Sequence, residues 1–193
     1  GARRDAGEGE GDERAAEVDR RVRAKRPDTT AANVGYEAEL WKMADTLRGG
    51  MDLVVRQGAR EAVQVSADDN LLPLLQTTVE GSGESRTLVI QWARGESIRT
   101  RAKTVVTVDV VKLTALDSFG SGNIAVEALK TPALALSISG SSDARLSGLD
   151  AEQLRVAISG SGDVQASGKA TRLSLSIAGS GDLRARELVA DDV

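Results

Sequence analysis

A four-residue signature returns at a near-fixed interval through the second half of this chain. It reads Gly120-Ser121-Gly122-Asn123, Gly140-Ser141-Ser142-Asp143, Gly160-Ser161-Gly162-Asp163 and Gly179-Ser180-Gly181-Asp182, at steps of 20, 20 and 19 residues. A period of that size means one supersecondary unit copied and stacked, which is a solenoid. Each signature follows an alternating run, clearest in Leu154-x-Val156-x-Ile158 and Leu173-x-Leu175-x-Ile177. Alternation sends Leu154, Val156 and Ile158 to one side of a strand and Arg155, Ala157 and Ser159 to the other. Coils stacked about 4.8 Å apart bury the first set in a continuous aliphatic column. The spacing predicts an all-β fold, a parallel β-helix with two strands per coil and a flattened, narrow core. The glycines of the signature, Gly120, Gly122, Gly140, Gly160, Gly162, Gly179 and Gly181, are expected at the corners, where they permit backbone angles that a side chain forbids. The copy beginning near Leu116 is degenerate, with Ser118 in place of the branched residue and Phe119 before the glycine.

Composition removes whole classes of chemistry. The 193 residues contain no Cys and no His. Disulfides, Cys/His metal centres and every triad built on His or Cys are therefore excluded. Four aromatics in all leave a core made of Val, Leu, Ile and Ala. A net charge of −4 gives no basic surplus for nucleic acid. No apolar run approaches the ~20 residues that cross a bilayer as a helix. Gly1–Pro27 lacks the apolar centre of a secretory leader.

The chain divides into four parts. Residues 1–30 form a charged, Gly-containing tract expected to be disordered, with a solvated helix available over 13–25. Residues 31–52 are expected to form a short amphipathic α-helix over 33–50, because Tyr36, Leu40, Met43 and Leu47 fall at helical spacing between Asn33 and Gly49-Gly50. Residues 53–118 change to period two and predict opening strands, including Leu53–Val55, Val63–Ala67, a run from Leu74, Thr87–Trp92 and Thr104–Val110. Residues 119–193 hold the repeats. The chain stops where the next strand is expected, which predicts an open last rung prone to edge-to-edge self-association.

The span 53–193 resembles the head GIN domain family of autotransporter adhesin heads. The resemblance rests on the Leu-x-Val-x-Ile-Ser-Gly-Ser-Gly-Asp repeat and on Val55-Arg56-Gln57-Gly58 with Val63–Leu72. It implies a right-handed parallel β-helix, an envelope or extracytoplasmic address and a non-catalytic role in binding a surface glycan or protein. Since no leader is visible, a cytoplasmic address stays open. Residues 32–52 are similar to the opening helix of the modification subunit of type I restriction systems, over about 21 residues only. No Asn-Pro-Pro-Tyr-like motif follows, so that resemblance implies at most a partial component whose helix docks on partner helices.

Three candidate chemistries remain. Asn123, Asp143, Asp163 and Asp182 are expected to stack at one corner. Such a column either holds a calcium ladder with corner carbonyls or uses each side chain to accept an amide hydrogen bond and fix the turn. The serines at 139, 141, 159, 161, 176 and 180 lack a base and read as turn and stacking residues. The outward Arg145, Arg155, Arg172, Arg184 and Arg186, with Glu152 and Glu187, define a third possibility, a groove of a polysaccharide-active β-helix enzyme. The chain is expected to carry no catalytic residue and no cofactor.

Overall fold

Period-two runs of aliphatic residues become strands throughout, since only pairing on both edges satisfies their backbone polar groups. The computed structural model describes residues 21–24, 30–35, 42–45, 51–81, 86–93 and 103–192. In chain order the strands are β1 (Arg21–Ala24), β2 (Thr30–Gly35), β3 (Lys42–Asp45), β4 (Met51–Gln57), β5 (Ala62–Ala67), β6 (Leu75–Glu80), β7 (Thr87–Trp92) and β8 (Thr104–Val110). The repeats supply β9 (Ala115–Ser118), β10 (Asn123–Glu127), β11 (Lys130–Ile138), β12 (Asp143–Ile158), β13 (Val164–Ile177) and β14 (Leu183–Asp192). A single 3-10 turn at Leu72–Leu74 interrupts them, with Pro73 at its start. Pairing is parallel from β8 and β7 through β14, which makes a β-solenoid. Antiparallel β5, β6 and β2 border it at the opposite end.

Each coil has three inward-facing sides, where two are expected from the sequence. In β12 the buried residues are Ala144 and Leu146, then Leu149 and Ala151, then Leu154, Val156 and Ile158. Parity switches at Ser147-Gly148 and again at Glu152-Gln153, and a switch of parity in a period-two strand marks a bend. The coil below repeats it with Ile124 and Val126, Leu129 and Thr131, then Leu134, Leu136 and Ile138. Small residues on the short middle side let the three sides close on one column. The 19-residue step is localised by register: Leu146 pairs with Ala166 but Leu149 pairs with Gly168, so β13 omits one residue at this bend. β14 regains it, where Gln165 pairs with Arg184 but Ser167 with Glu187.

The N-terminal expectations are corrected. No α-helix is formed by the described residues of 33–50: Asn33–Gly35 belong to β2, and Lys42–Asp45 are β3. Tyr36, Leu40 and Leu47 lie outside the described residues. Within the charged tract, Arg21–Ala24 are a strand paired antiparallel with β2 rather than part of a solvated helix, and the rest of 1–20 lies outside the described residues. β3 lies between β7 and β9, parallel to both. β4 lies between β8 and β10, also parallel to both. The β3–β4 rung is thus intercalated between a rung made of β7 and β8 and one made of β9 and β10. Two-sided pairing supplies both edges with hydrogen bonds, and that outweighs the helical stripe read from the sequence.

At the far end the order reverses from buried to open. Leu175 and Ile177 continue the inward row of Leu136, Val156, Ile138 and Ile158, yet they are 44% and 41% exposed. No strand pairs beyond them among the described residues.

Candidate functional site

The corner holds a ladder of carboxylates whose role is set by geometry. Asp143 Oδ1 accepts from the Asp163 backbone N–H at 2.9 Å, and Asp163 Oδ1 accepts from the Asp182 N–H at 3.0 Å. Each side chain thus caps the amide of the next coil, one strand spacing away, rather than an amide within its own turn. Asp163 also meets Arg184 at 3.3 Å. The described residues contain no group of three or more acidic side chains arranged to hold a metal.

The ladder begins one rung earlier than the periodic signature shows. Asp52 Oδ1 accepts from both the backbone N–H of Asn123, at 3.0 Å, and its side-chain Nδ2, at 2.9 Å. Lys103 stands 3.8 Å from the same carboxylate. Met51-Asp52 therefore stands where Gly122-Asn123 stands, followed by Leu53 and Val55 as Ile124 and Val126 follow Asn123. The step from 52 to 123 spans five strands, β5 to β9, and is invisible to a search at period 20; the Gly-x-x-Asp-Leu-x-Val pattern was the available signal. Asn123 is the one amide among the acids because it donates. Asn123→Asp would set a second carboxylate against that of Asp52, which lies 2.9 Å from the Nδ2 it replaces, and is expected to lower stability by about 1–2 kcal/mol. A urea midpoint equal to that of the unaltered protein would contradict this role.

Serine positions serve stacking. The backbone N–H groups of Ser141, Ser161 and Ser180 donate to Gly120, Gly140 and Gly160 of the coil below at 3.0 Å. The Ser159 hydroxyl donates to Ser139 Oγ at 3.1 Å. Ser142 stands where Gly162 and Gly122 stand in other coils and is fully buried, its Oγ 3.0 Å from that of Ser118. The pair accounts for the degenerate repeat: where Ser118 replaces an isoleucine, a second hydroxymethyl group fills part of the space and one hydroxyl donates to the other.

The outward charges expected to share one groove are divided between two faces. Arg145, Arg184, Arg186 and Glu187 gather on the face built from β10, the first leg of β12, β13 and β14, where they line a shallow concavity of about 520 Å³. Arg155 and Arg172 lie on the third side of the coil, in register with Ser174 and Gln153. A second concavity of about 380 Å³ continues the first towards Asn123, Asp143 and Asp163, and the two share Arg145, Gln165 and Arg184. Arg145 is held in place by Gln165, whose Oε1 accepts from Nε at 2.9 Å and Nη2 at 2.6 Å. Together they form a trough across successive coils, bounded by the acid ladder on one side. The surface presents guanidinium, amide and carboxylate groups from successive coils.

Residues 46–193 match the model of a family described as "Putative auto-transporter adhesin, head GIN domain". Three crystal structures share the fold. A "putative adhesin" from Bacteroides fragilis superposes with TM-score 0.74 at 22% identity, covering 86% of this chain and 76% of its own. A "putative lipid binding protein" from Parabacteroides distasonis gives 0.63 at 20% identity, over 84% and 76%. A "putative adhesin" from the same species gives 0.59 at 22%, over 84% and 75%. No curated protein matches the chain. None of these comparisons supports the likeness of 32–52 to a methyltransferase subunit, and residues 46–52 fall inside the adhesin-head match.

Proposed function

Because this chain belongs to the head GIN domain family of auto-transporter adhesin heads, we propose that it is a surface-presented binding module that engages its target through the trough on β10, β12, β13 and β14. The observation that carries this reading is the gathering of Arg145, Gln165, Arg184 and Arg186 from successive coils into one concave face. A stacked sheet fixes such side chains on a rigid lattice, so a polymer lying along the stack meets a repeating row of contacts without ordering a loop. The module works without catalysis: it has neither His nor Cys, and the carboxylates of Asp143 and Asp163 beside the trough are engaged in capping amides. It also works without a cofactor, and millimolar calcium is expected to leave Tm and the CD spectrum unchanged. Its place is the cell envelope or outside it, in keeping with the family.

The test is retention of the labelled full chain on bacterial cells and on surfaces coated with polysaccharide or matrix protein. Arg145→Ala/Arg186→Ala is compared with Arg155→Ala/Arg172→Ala on the other face. Loss of retention only with the first pair is expected. Equal retention by both pairs would place the contact elsewhere.

A further inference from the structure

Resting on that reading, we propose that the target is an acidic polysaccharide, bound through its carboxylates by the guanidiniums of Arg145, Arg184 and Arg186. The larger of the two concavities is lined by three arginines and one acid, Glu187, in a chain whose net charge is −4, while its continuation adds Asp143 and Asp163. That end of the trough is thus locally positive in a chain of opposite net sign, which favours an anion there. Arg145 pairs in register with Gln165 and Gln165 with Arg184, so two guanidinium positions recur two coils apart, about 9.6 Å from the strand spacing. The grip of Gln165 on Nε and Nη2 fixes the plane of Arg145 and leaves Nη1 for a carboxylate. Arg184 is tethered to Asp163 through Nη2 alone. No hydrogen bond or ion pair of Arg186 is made among the described residues.

Two features choose the polymer. First, the acid ladder of Asp143, Asp163 and Asp182 runs beside the arginine row on the same face, one outward position away along each strand. A densely charged polyanion such as a nucleic acid cannot lie on the arginines without meeting those carboxylates. A polymer with well-spaced carboxylates can, and its hydroxyls find acceptors in Glu187 and the ladder and donors in the Gln165 amide and the hydroxyl of Ser147. Second, Phe119 is the only exposed ring among the described residues, and it is not part of the trough. A neutral glycan held by ring stacking therefore has no platform here, and charge must supply the affinity.

The experiment measures binding of the full chain to polygalacturonate, with dextran, poly-glutamate and single-stranded DNA as comparators, at low and moderate salt. Polygalacturonate is expected to bind, with affinity falling as salt rises, and dextran not to bind. Arg145→Gln/Arg186→Gln is expected to weaken polygalacturonate binding about tenfold or more. Both side chains are on the surface, so an unchanged Tm verifies that the variant folds. Binding of poly-glutamate or DNA at least as tight as polygalacturonate would overturn the polysaccharide assignment in favour of an acidic protein or nucleic acid. Absence of polygalacturonate binding, while the trough variants still abolish cell or matrix retention, would overturn this inference and leave the binding module standing. Polygalacturonate binding unaffected by the Arg145/Arg186 variant would overturn the trough itself.

Discussion

Gly160→Ala is expected to destabilise the protein by about 3 kcal/mol or more, enough to remove most of the stability of an ordinary domain. A Cβ built on Gly160 falls inside contact distance of the Gly140 carbonyl of the coil below, and one on Gly162 meets the Ser142 carbonyl in the same way. Gly140 stands over Gly120, Gly179 over Gly160 and Gly181 over Gly162, so the corner is two columns of backbone touching backbone. Since the obstacle is main chain, no rotamer change relieves it. Other glycines separate this cause from backbone conformation. Gly148 adopts φ +66, but a Cβ there meets only ordinary contacts, and Ala128, stacked beneath it, already sits at φ 49. Gly148→Ala is therefore expected to cost about 1–2 kcal/mol. Gly58 has neither constraint, so Gly58→Ala is expected to be neutral or to stabilise by about 0.4–1 kcal/mol. Urea denaturation of the three variants gives the order directly. A Gly160→Ala protein no less stable than Gly148→Ala would mean that coil-to-coil approach does not set the corner sequence.

Leu136→Ala is expected to cost about 3–5 kcal/mol, whereas Leu175→Ala is expected to cost less than about 1. The two leucines belong to one inward row: Leu116 pairs with Leu136, Leu136 with Val156, and Val156 with Leu175. Leu136 is fully buried between coils, so its truncation leaves a cavity that rigid strands above and below cannot collapse to fill. Leu175 is 44% exposed and gives up less buried surface. In a stacked array each coil is stabilised by its neighbours, so Leu136→Ala should weaken coils on both sides of it. Amide exchange should show the last leg of β13 opening well before β11 in the unaltered protein. Equal losses for the two substitutions would mean that the end of the stack is as well covered as its middle.

Much of the fold was legible in particular residues. Leu154, Val156 and Ile158, followed by Gly-Ser-Gly-Asp, specified strand, inward side, corner and period, and all of these are observed. The acid column was also legible as a stacked set. Its capping of the next coil was not, because the partner amide lies 19 or 20 residues away in sequence and one strand spacing away in space. What the corner glycines need was not legible: a Cβ on Gly122, Gly140, Gly160, Gly162, Gly179 or Gly181 runs into a carbonyl of the coil below, and none of the six has a left-handed backbone. Of the trough, the sequence offered seven outward charges with no means of sorting them, since parity switches within a coil decide which face each one reaches.

The repeat by itself determined that this chain stacks parallel strands over an aliphatic column, because period and alternation are local properties that every copy restates. Only the tertiary structure decided that each coil has three sides, that Met51-Asp52 caps a hidden rung, and that Arg145, Arg184 and Arg186 share a face while Arg155 and Arg172 do not. Those outcomes depend on where strands bend and on which distant strand supplies the missing hydrogen bonds. The β3–β4 rung makes the physical reason plain. Lys42–Asp45, from within the helical stripe, is strand because β7 and β9 offer it two edges, as β8 and β10 do for Met51–Gln57. Pairing energy of that kind is a property of neighbours, and the segment's own residues carry no record of it.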